Sequence, residues 1–488
     1  MAVTSTRTAV LVVGAGPAGL TLANVLARAD VPVTVIDREP GPVAESRAAI
    51  VHTRTLELWD RWGLAEPAVE AGARVERVAM RFAGRELASF PLTGVDPSPF
   101  PFALALPQAE TERLLVERLP LQVDWNTALV GLEVLGEGVA AVVRRADGSL
   151  LEIRADYLVG ADGAHSLVRR ASGIRSTTSG RAPTGFLADV RLSPAPPRGV
   201  LELNLARGGF VGALDLGNGR FRLFGALRPE HARSFGTDLQ RLFTDHFRIP
   251  VRLSDAEWTS TYRIRHQLAE KFRSGPVFLV GDAAHTHAPA GGQGMNLGVG
   301  DAVNLGWKLA LVARGLATES LLDTYEAERL RVAHAVSRGA DRGFALETTA
   351  NPLLDGARRV LLPPLIRIAA HLPPARRAVH RLFSQTWISY RTGRQSFPGP
   401  GDRVPECRIG GRSLYELIAE PVHHLLLSGA APHDPTGAYR LPIRSHRIEP
   451  AELHRLFGAD AVLVRPDGHI AATARADDLT NHLDTWYR

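Results

Sequence analysis

Three glycine-containing segments carry the residue types that could hold a dinucleotide. The first is Gly14-Ala15-Gly16-Pro17-Ala18-Gly19. Ala9 to Val13 ahead of it reads as a buried, β-branched strand, and LTLANVLARA behind it reads as a helix. A second strand, Val33 to Ile36, ends at Asp37. Each position has a physical task. Gly14 permits a tight turn, Gly16 lets the backbone approach a pyrophosphate, and Gly19 lets the helix lie close to the strand. The helix N-terminus offers N–H groups and partial positive charge to phosphates. Asp37, 23 residues beyond Gly14, can accept from a ribose diol and disfavours a 2′-phosphate, although Arg38 stands beside it. Alone, this unit does not choose between FAD and NAD.

The second segment places a strand, Tyr157 to Val159, before Gly160-Ala161-Asp162-Gly163 and a short helix over Ser166–Arg170. In the third, strand Val277 to Val280 delivers Asp282, and Gly291-Gly292-Gln293-Gly294 opens a helix. Val299, Ala302, Val303, Gly306, Leu309, Ala310 and Ala313 form its apolar stripe, and Gly315 ends it. An aspartate at a strand end can hold ribityl hydroxyls. A helix N-terminus aimed at an isoalloxazine would favour the anionic reduced ring.

The order GAGPAG, DG, GDAAHTHAPAGGQGMN resembles the class A flavoprotein aromatic hydroxylases, especially longer members acting on polyketides and phenols. ESRAAIVHTRTLELWDRWGL (45–64) is similar to the family's arginine-containing stretch, and LPQAETERLL (106–115) to its glutamine-containing helix start. The resemblance covers about residues 9 to 345 and continues more faintly beyond. It implies bound FAD, NADPH or NADH as transient reductant, and O₂ as cosubstrate. It also implies that Asp37, with Arg38 nearby, holds the adenosine ribose. Arg47 and Gln108 would contact phosphate and ribityl portions. Asp162 would lie beside the NAD(P)H and FAD pyrophosphate region, and Asp282 on the ribityl chain or phosphate. Pro289, Gly291, Gly292, Gly294, Met295 and Asn296 would line the flavin ring, with the glycine turn including Pro17 and Ala18 cradling the phosphates. No catalytic side chain is assigned, because in this chemistry the cofactor carries the difficult step.

The fold class expected is α/β. A Rossmann-like FAD-binding domain (1–75, 104–180, 275–345) is joined to an antiparallel substrate sheet (76–103, 181–274). FLADVRL, GVLELNLA, GFVGALDL and RFRLFGAL alternate apolar and polar residues, as half-buried strands do. Residues 346–397 read as a helical connection. Past PGPGDRVPE, residues 398–488 resemble a small thioredoxin-like C-terminal domain, with a hairpin turning at Pro466-Asp467-Gly468. The family's tryptophan after this hairpin is replaced by Ala471-Ala472-Thr473. Cys407 is the only cysteine, so dithiol chemistry is excluded and a structural or dimerisation role, with a homodimer left open, is expected.

Other classes are disfavoured. The charge of +6 rests on arginines spread along the chain, with Lys271 and Lys308 the only lysines, so no nucleic-acid partner is expected. No apolar run reaches the roughly 18 residues that span a bilayer. Glycines interrupt the N-terminal apolar stretch where a signal peptide should be strongest, so a cytoplasmic location is expected. His285 and His287 have no third metal ligand at diagnostic spacing, so no metal is assigned. His285 is expected to be structural. The absence of a second GxGxxG unit argues against two-dinucleotide reductases.

The expected partner is a small aromatic molecule, a polycyclic polyketide or phenol of secondary metabolism such as antibiotic biosynthesis. It would be hydroxylated through a flavin C4a-hydroperoxide. Three alternatives remain open at this point: Baeyer–Villiger insertion or oxidative ring opening of a quinone or ketone, a flavin-binding protein without oxygenase turnover, and an NAD-dependent dehydrogenase.

Overall fold

The computed structural model describes residues 4–43, 48–82, 84–179, 184–206, 209–227, 239–241, 243–244, 249–263, 266–287, 290–348, 361, 363–392, 396–429, 437, 439–474 and 479–487. Its first layer is a sheet whose parallel part contains β1 (Thr4–Val13), β2 (Val33–Ile36), β3 (Leu150–Gly160) and β4 (Val277–Leu279). In space they run β4-β3-β1-β2, extended by an antiparallel meander over 128–134 and 139–144. Toward their C-terminal ends, at residues 10–13, 35–36, 158–159 and 277–279, these strands are apolar and buried beneath covering helices.

The register fixes the geometry of one rim. Val13 pairs with both Gly160 and Ile36, and Gly160 pairs with Leu279, so four strands finish in one row. The chain leaves β1 toward β2 on one side and reaches β3 on the other. That reversal is where open α/β sheets bind ligands.

Two helices support the rim. Helix α1 (Pro17–Arg28) follows β1, and the long helix α3 (Gln293–Ala313) lies against it. Gly306 makes that approach close, since a Cβ there would sit 2.7 Å from Val25 Cγ1. The apolar stripe read from the sequence faces this core. However, α3 is buried nearly all round. Its other side, with Trp307 and Leu311, packs on Leu425, Leu427, Leu463 and Leu483 of the C-terminal layer.

The second layer is a seven-stranded sheet, ordered 252–263, 184–193, 220–227, 209–217, 200–206, 77–82, 85–91. All neighbours are antiparallel except 200–206 with 77–82. The four segments expected as strands all lie here, joined by the 76–103 excursion. The C-terminal sheet runs 443–448, 423–428, 461–464, 470–474, with only the first pair parallel. This second-first-third-fourth order is thioredoxin-like.

Candidate cofactor and active site

The glycine turn is shaped by collisions that larger residues would cause. Gly14 has φ +108°, and a Cβ there would lie 2.4 Å from Ala161 O. At Gly19 it would lie 1.9 Å from Gly14 O. Gly16 differs: its added Cβ meets nothing within 4 Å. The first two glycines let protein pack on protein, whereas Gly16 leaves an open cradle at the start of α1, where Pro17 occupies the first turn. Ala18 backs the neighbouring turn, its Cβ 3.1 Å from a Cβ built on Gly281.

Asp37 stands at the end of β2 and grips the same turn. Its Oδ2 accepts from Ala15 N at 2.6 Å and Oδ1 from Glu39 N at 2.9 Å. Arg38 is exposed and pairs with Glu39 at 3.1 Å. Asp162 follows β3. Its Oδ2 accepts from Leu167 N at 2.7 Å and Val168 N at 3.1 Å, capping the helix Leu167–Ala171, while Ser166 Oγ accepts from Arg169 N. Asp162 Oδ1 is buried with no partner among the described residues. Asp282 is exposed on a short 3₁₀ turn after β4.

Arg47 and Pro289 lie outside the described residues. The anchors of the Arg47 segment are nevertheless visible on helix α2 (Gln108–Glu117). Glu112 accepts from Val43 N at 2.8 Å and from Gln108 Nε2 at 2.9 Å; Gln108 N donates to Ala48 O at 2.9 Å. The two ends of the segment are thus held one helical turn apart. Burial pushes the Glu112 carboxyl up, against these hydrogen bonds.

The turn before α3 is left-handed twice, with φ +71° at Gly291 and +67° at Gly292. Cβ atoms there would lie 2.8 Å from Leu382 and 3.1 Å from Ile50. Gly294 has room, the nearest atom to its Cβ being His287 Cε1 at 3.9 Å. Met295 is half-buried against the main core. Asn296 is buried, and its amide is taken up by the protein: Nδ2 donates to Ile50 O and Gly292 O, while Oδ1 accepts from His52 N and Thr55 Oγ1.

Sequence reasoning missed a buried group beneath the Asp282 turn. Asp301, on α3, accepts from Gly281 N at 3.1 Å, His285 Nε2 at 2.7 Å and Arg329 Nε at 2.6 Å. Burial alone would raise the Asp301 carboxyl; Arg329 and His285 outweigh it and hold it below the usual range. Arg329 also donates to Leu297 O and Tyr390 Oη. His285 is therefore a structural partner, as its position suggested. No metal-binding group of three His, Cys, Asp or Glu side chains occurs among the described residues. A polar residue interrupting the apolar pattern of α3 was the available signal.

The substrate-side sheet reaches this rim through Arg222. This buried side chain pairs with Asp189 at 2.8 and 2.7 Å, lies over the Trp258 ring and donates to Ala48 O at 3.4 Å. It thus ties the sheet to Ala48, which Gln108 also holds.

A level strand rim, a glycine cradle with space at Gly16, a buried carboxylate oxygen without a partner and a double-glycine helix entry together fit an FAD. They define a dinucleotide-binding flavoprotein of the Rossmann-like type. Residues 7–340 match the FAD binding domain family, and residues 397–487 match the aromatic-ring hydroxylase C-terminal family. The chain belongs to the FAD-binding aromatic-ring hydroxylases. It is 34% identical to 6-methylpretetramide 4-monooxygenase of Streptomyces rimosus, over 96% of this chain and 91% of that protein. It is 30% identical to pentachlorophenol 4-monooxygenase of Sphingobium chlorophenolicum, over 95% and 86%. Its structure is similar to that of the anhydrotetracycline hydroxylase of Streptomyces rimosus, with TM-score 0.80, 32% identity and 99% of each chain covered.

Proposed function

We propose that this enzyme hydroxylates a polycyclic phenolic substrate of the polyketide type, using FAD, O₂ and NADPH or NADH in a cytoplasmic setting. The observation that carries the reading is the shared strand rim, on which Val13, Gly160 and Leu279 end in register and present the three motif loops together. When bound, FAD supplies the electron transfer and oxygen activation. The chain's own work is positioning and exclusion of water. Gly14, Gly16 and Gly19 shape the phosphate cradle, with Pro17 and Ala18 in its wall. Asp37 fixes the cradle's backbone beside the adenosine ribose, with Arg38 at the edge. Arg47 and Gln108 serve the phosphate and ribityl portions, Asp162 the pyrophosphate and Asp282 the ribityl hydroxyls. Pro289, Gly291, Gly292, Gly294 and Met295 lie along the ring, and Asn296 acts on that turn from behind.

The relatives named as tetracycline-type and chlorophenol monooxygenases support a phenolic substrate, and the chain's coverage of their length supports a shared plan. The domain division proposed is an FAD domain (1–75, 104–180, 275–345), a substrate sheet (76–103, 181–274), a helical connection (346–397) and a C-terminal domain (398–488).

The test starts from the visible spectrum of the purified protein, then NADPH and NADH oxidation with a panel of polycyclic phenols under ¹⁸O₂. Flavin bands, substrate-stimulated oxidation and one labelled hydroxyl per product are expected. A ring-expanded or ring-opened product would transfer the reading to Baeyer–Villiger chemistry. Bound flavin with no stimulation by any phenol would abandon the oxygenase reading.

A further inference from the structure

His52 is fully buried and lies in the arginine-containing stretch 45–64, where Arg47 alone was read as a cofactor contact. Its Nε2 lies 2.9 Å from Gly291 O. A carbonyl can only accept, so Nε2 carries the proton and Nδ1 is bare. Nδ1 is buried and has no hydrogen-bond partner among the described residues. Burial, partly opposed by the Gly291 hydrogen bond, lowers the ring's pKa to about 4, so it is neutral at pH 7.

Asn296 acts on the next carbonyl. Its Nδ2 donates to Gly292 O at 2.9 Å while its Oδ1 accepts from His52 N at 2.8 Å. One imidazole and one amide therefore turn two successive carbonyls to the same, inward side. Across a trans peptide the N–H points opposite to the C=O. The N–H groups of Gly292 and Gln293 must then face away from His52 and Asn296. Gln293 opens α3, so these donors also carry the favourable end of the helix dipole. The Gln293 side chain is buried as well, and its Oε1 has no partner among the described residues.

We infer that His52, through its Nε2–H bond to Gly291 O, is a positioning residue that aims the Gly292 and Gln293 N–H groups at bound FAD. This rests on the proposed placement of the flavin at the N-terminus of α3. Left-handed glycines are conformationally free, so without that bond the Gly291-Gly292 peptide can flip and withdraw a donor. A neutral ring suits the task, because it fixes the turn without placing a cation beside the cofactor.

The test compares native protein with His52→Gln, His52→Asn and His52→Leu. Glutamine can present an amide N–H near the Nε2 position, asparagine is too short, and leucine has no donor. Apoproteins are titrated with FAD by flavin fluorescence, the midpoint potential of bound FAD is measured against redox dyes, and thermal unfolding of each apoprotein checks the fold. Loss of one donor predicts roughly five- to tenfold weaker FAD binding in the leucine and asparagine variants. Their potentials should move to more negative values, with glutamine near native on both readouts. Native affinity and potential in the leucine variant would overturn the role, as would a glutamine variant as impaired as asparagine. Should leucine fail to fold, the glutamine–asparagine contrast decides alone. Native apoprotein that takes up no FAD would overturn the placement of the cofactor itself, a result distinct from equal binding by all four proteins.

Discussion

Arg465 and Glu328 belong to different layers of the molecule and meet as a bidentate pair, with Nη1 and Nη2 donating to the two carboxylate oxygens at 2.6 and 3.0 Å. Arg465 sits on the C-terminal hairpin, and Glu328 on the helix α4 (Asp323–Thr348) behind the flavin-binding layer. The hairpin tip is buried rather than solvent-facing. Asp467 approaches Trp307 Nε1 at 3.3 Å, and its carbonyl accepts from Arg54. Lys308 completes the cluster, donating to Glu328 at 2.9 Å.

Removing Arg465 leaves Glu328 with Lys308 as its remaining close ion-pair partner and Asp467 without its guanidinium. Breaking one side of a buried pair costs about 3–5 kcal/mol. Arg465→Ala should therefore lower the denaturation midpoint markedly, whereas Arg465→Ala with Glu328→Ala should cost less than the two single changes added together. Urea unfolding of the four proteins measures this coupling. Strict additivity would remove the pair from the interface that holds the hairpin on α3.

The glycines of the first turn should separate folding from cofactor binding. A Cβ on Gly16 meets no protein atom within 4 Å, and its φ of −74° suits any residue. Gly16→Ala should cost the apoprotein no more than about 1 kcal/mol, the exchange of a glycine helix cap for alanine, while weakening FAD binding. Gly19→Ala drives a methyl into Gly14 O and should destabilise the apoprotein by several kcal/mol, as overpacking does. Unfolding curves paired with FAD titrations distinguish them. Unimpaired FAD binding by Gly16→Ala would place the pyrophosphate elsewhere.

These contrasts show what was legible in the sequence. Gly14, Asp37, Asp162 and Asp282 fall at the ends of strands, and strand ends can be read from local pattern alone. Parallel pairing then brings them into one row. His52, Asp301 and Arg329 were hidden because their importance depends on partners far along the chain, such as the 28 residues separating Asp301 from Arg329. The all-round burial of α3 was hidden for a related reason. Its second covering surface comes from residues beyond 420, which no window around the helix contains.

His52 also makes an acid-sensitive contribution. Its folded pKa is lowered to about 4 because burial disfavours the charged ring, whereas a histidine in the unfolded chain titrates near its ordinary value of about 6.5. Between these values the unfolded chain binds more protons than the folded one, so stability rises with pH there. Stability is full above about pH 6.5, falls on acidification and levels off below about pH 4. Between pH 7 and pH 5 the loss is about 2 kcal/mol. His424, also lowered to about 4, adds a similar slope of its own. His52→Gln should flatten the native curve by the His52 share only. Parallel curves for both proteins would remove His52 as a source of acid sensitivity.

Asp301 and Arg329 offer the sharpest test of the support beneath the Asp282 turn. Both side chains are essentially without solvent contact, at 0% and 2% exposure. Asp301 is the only carboxylate among the described residues to which Arg329 donates, and it also fixes the Gly281 N–H. Asp301→Asn keeps the shape but removes the negative charge, stranding a buried guanidinium, and should cost about 3–5 kcal/mol. The double change Asp301→Asn with Arg329→Met removes both charges and should recover part of that loss. It should not recover the FAD affinity of the native protein, if holding the Gly281 turn requires the carboxylate. Unfolding midpoints and FAD titrations on the single and double variants therefore separate two roles. Recovery of both stability and affinity would reduce the pair to charge balance in the core. Recovery of stability alone would identify Asp301 as the group that sets the turn carrying Asp282.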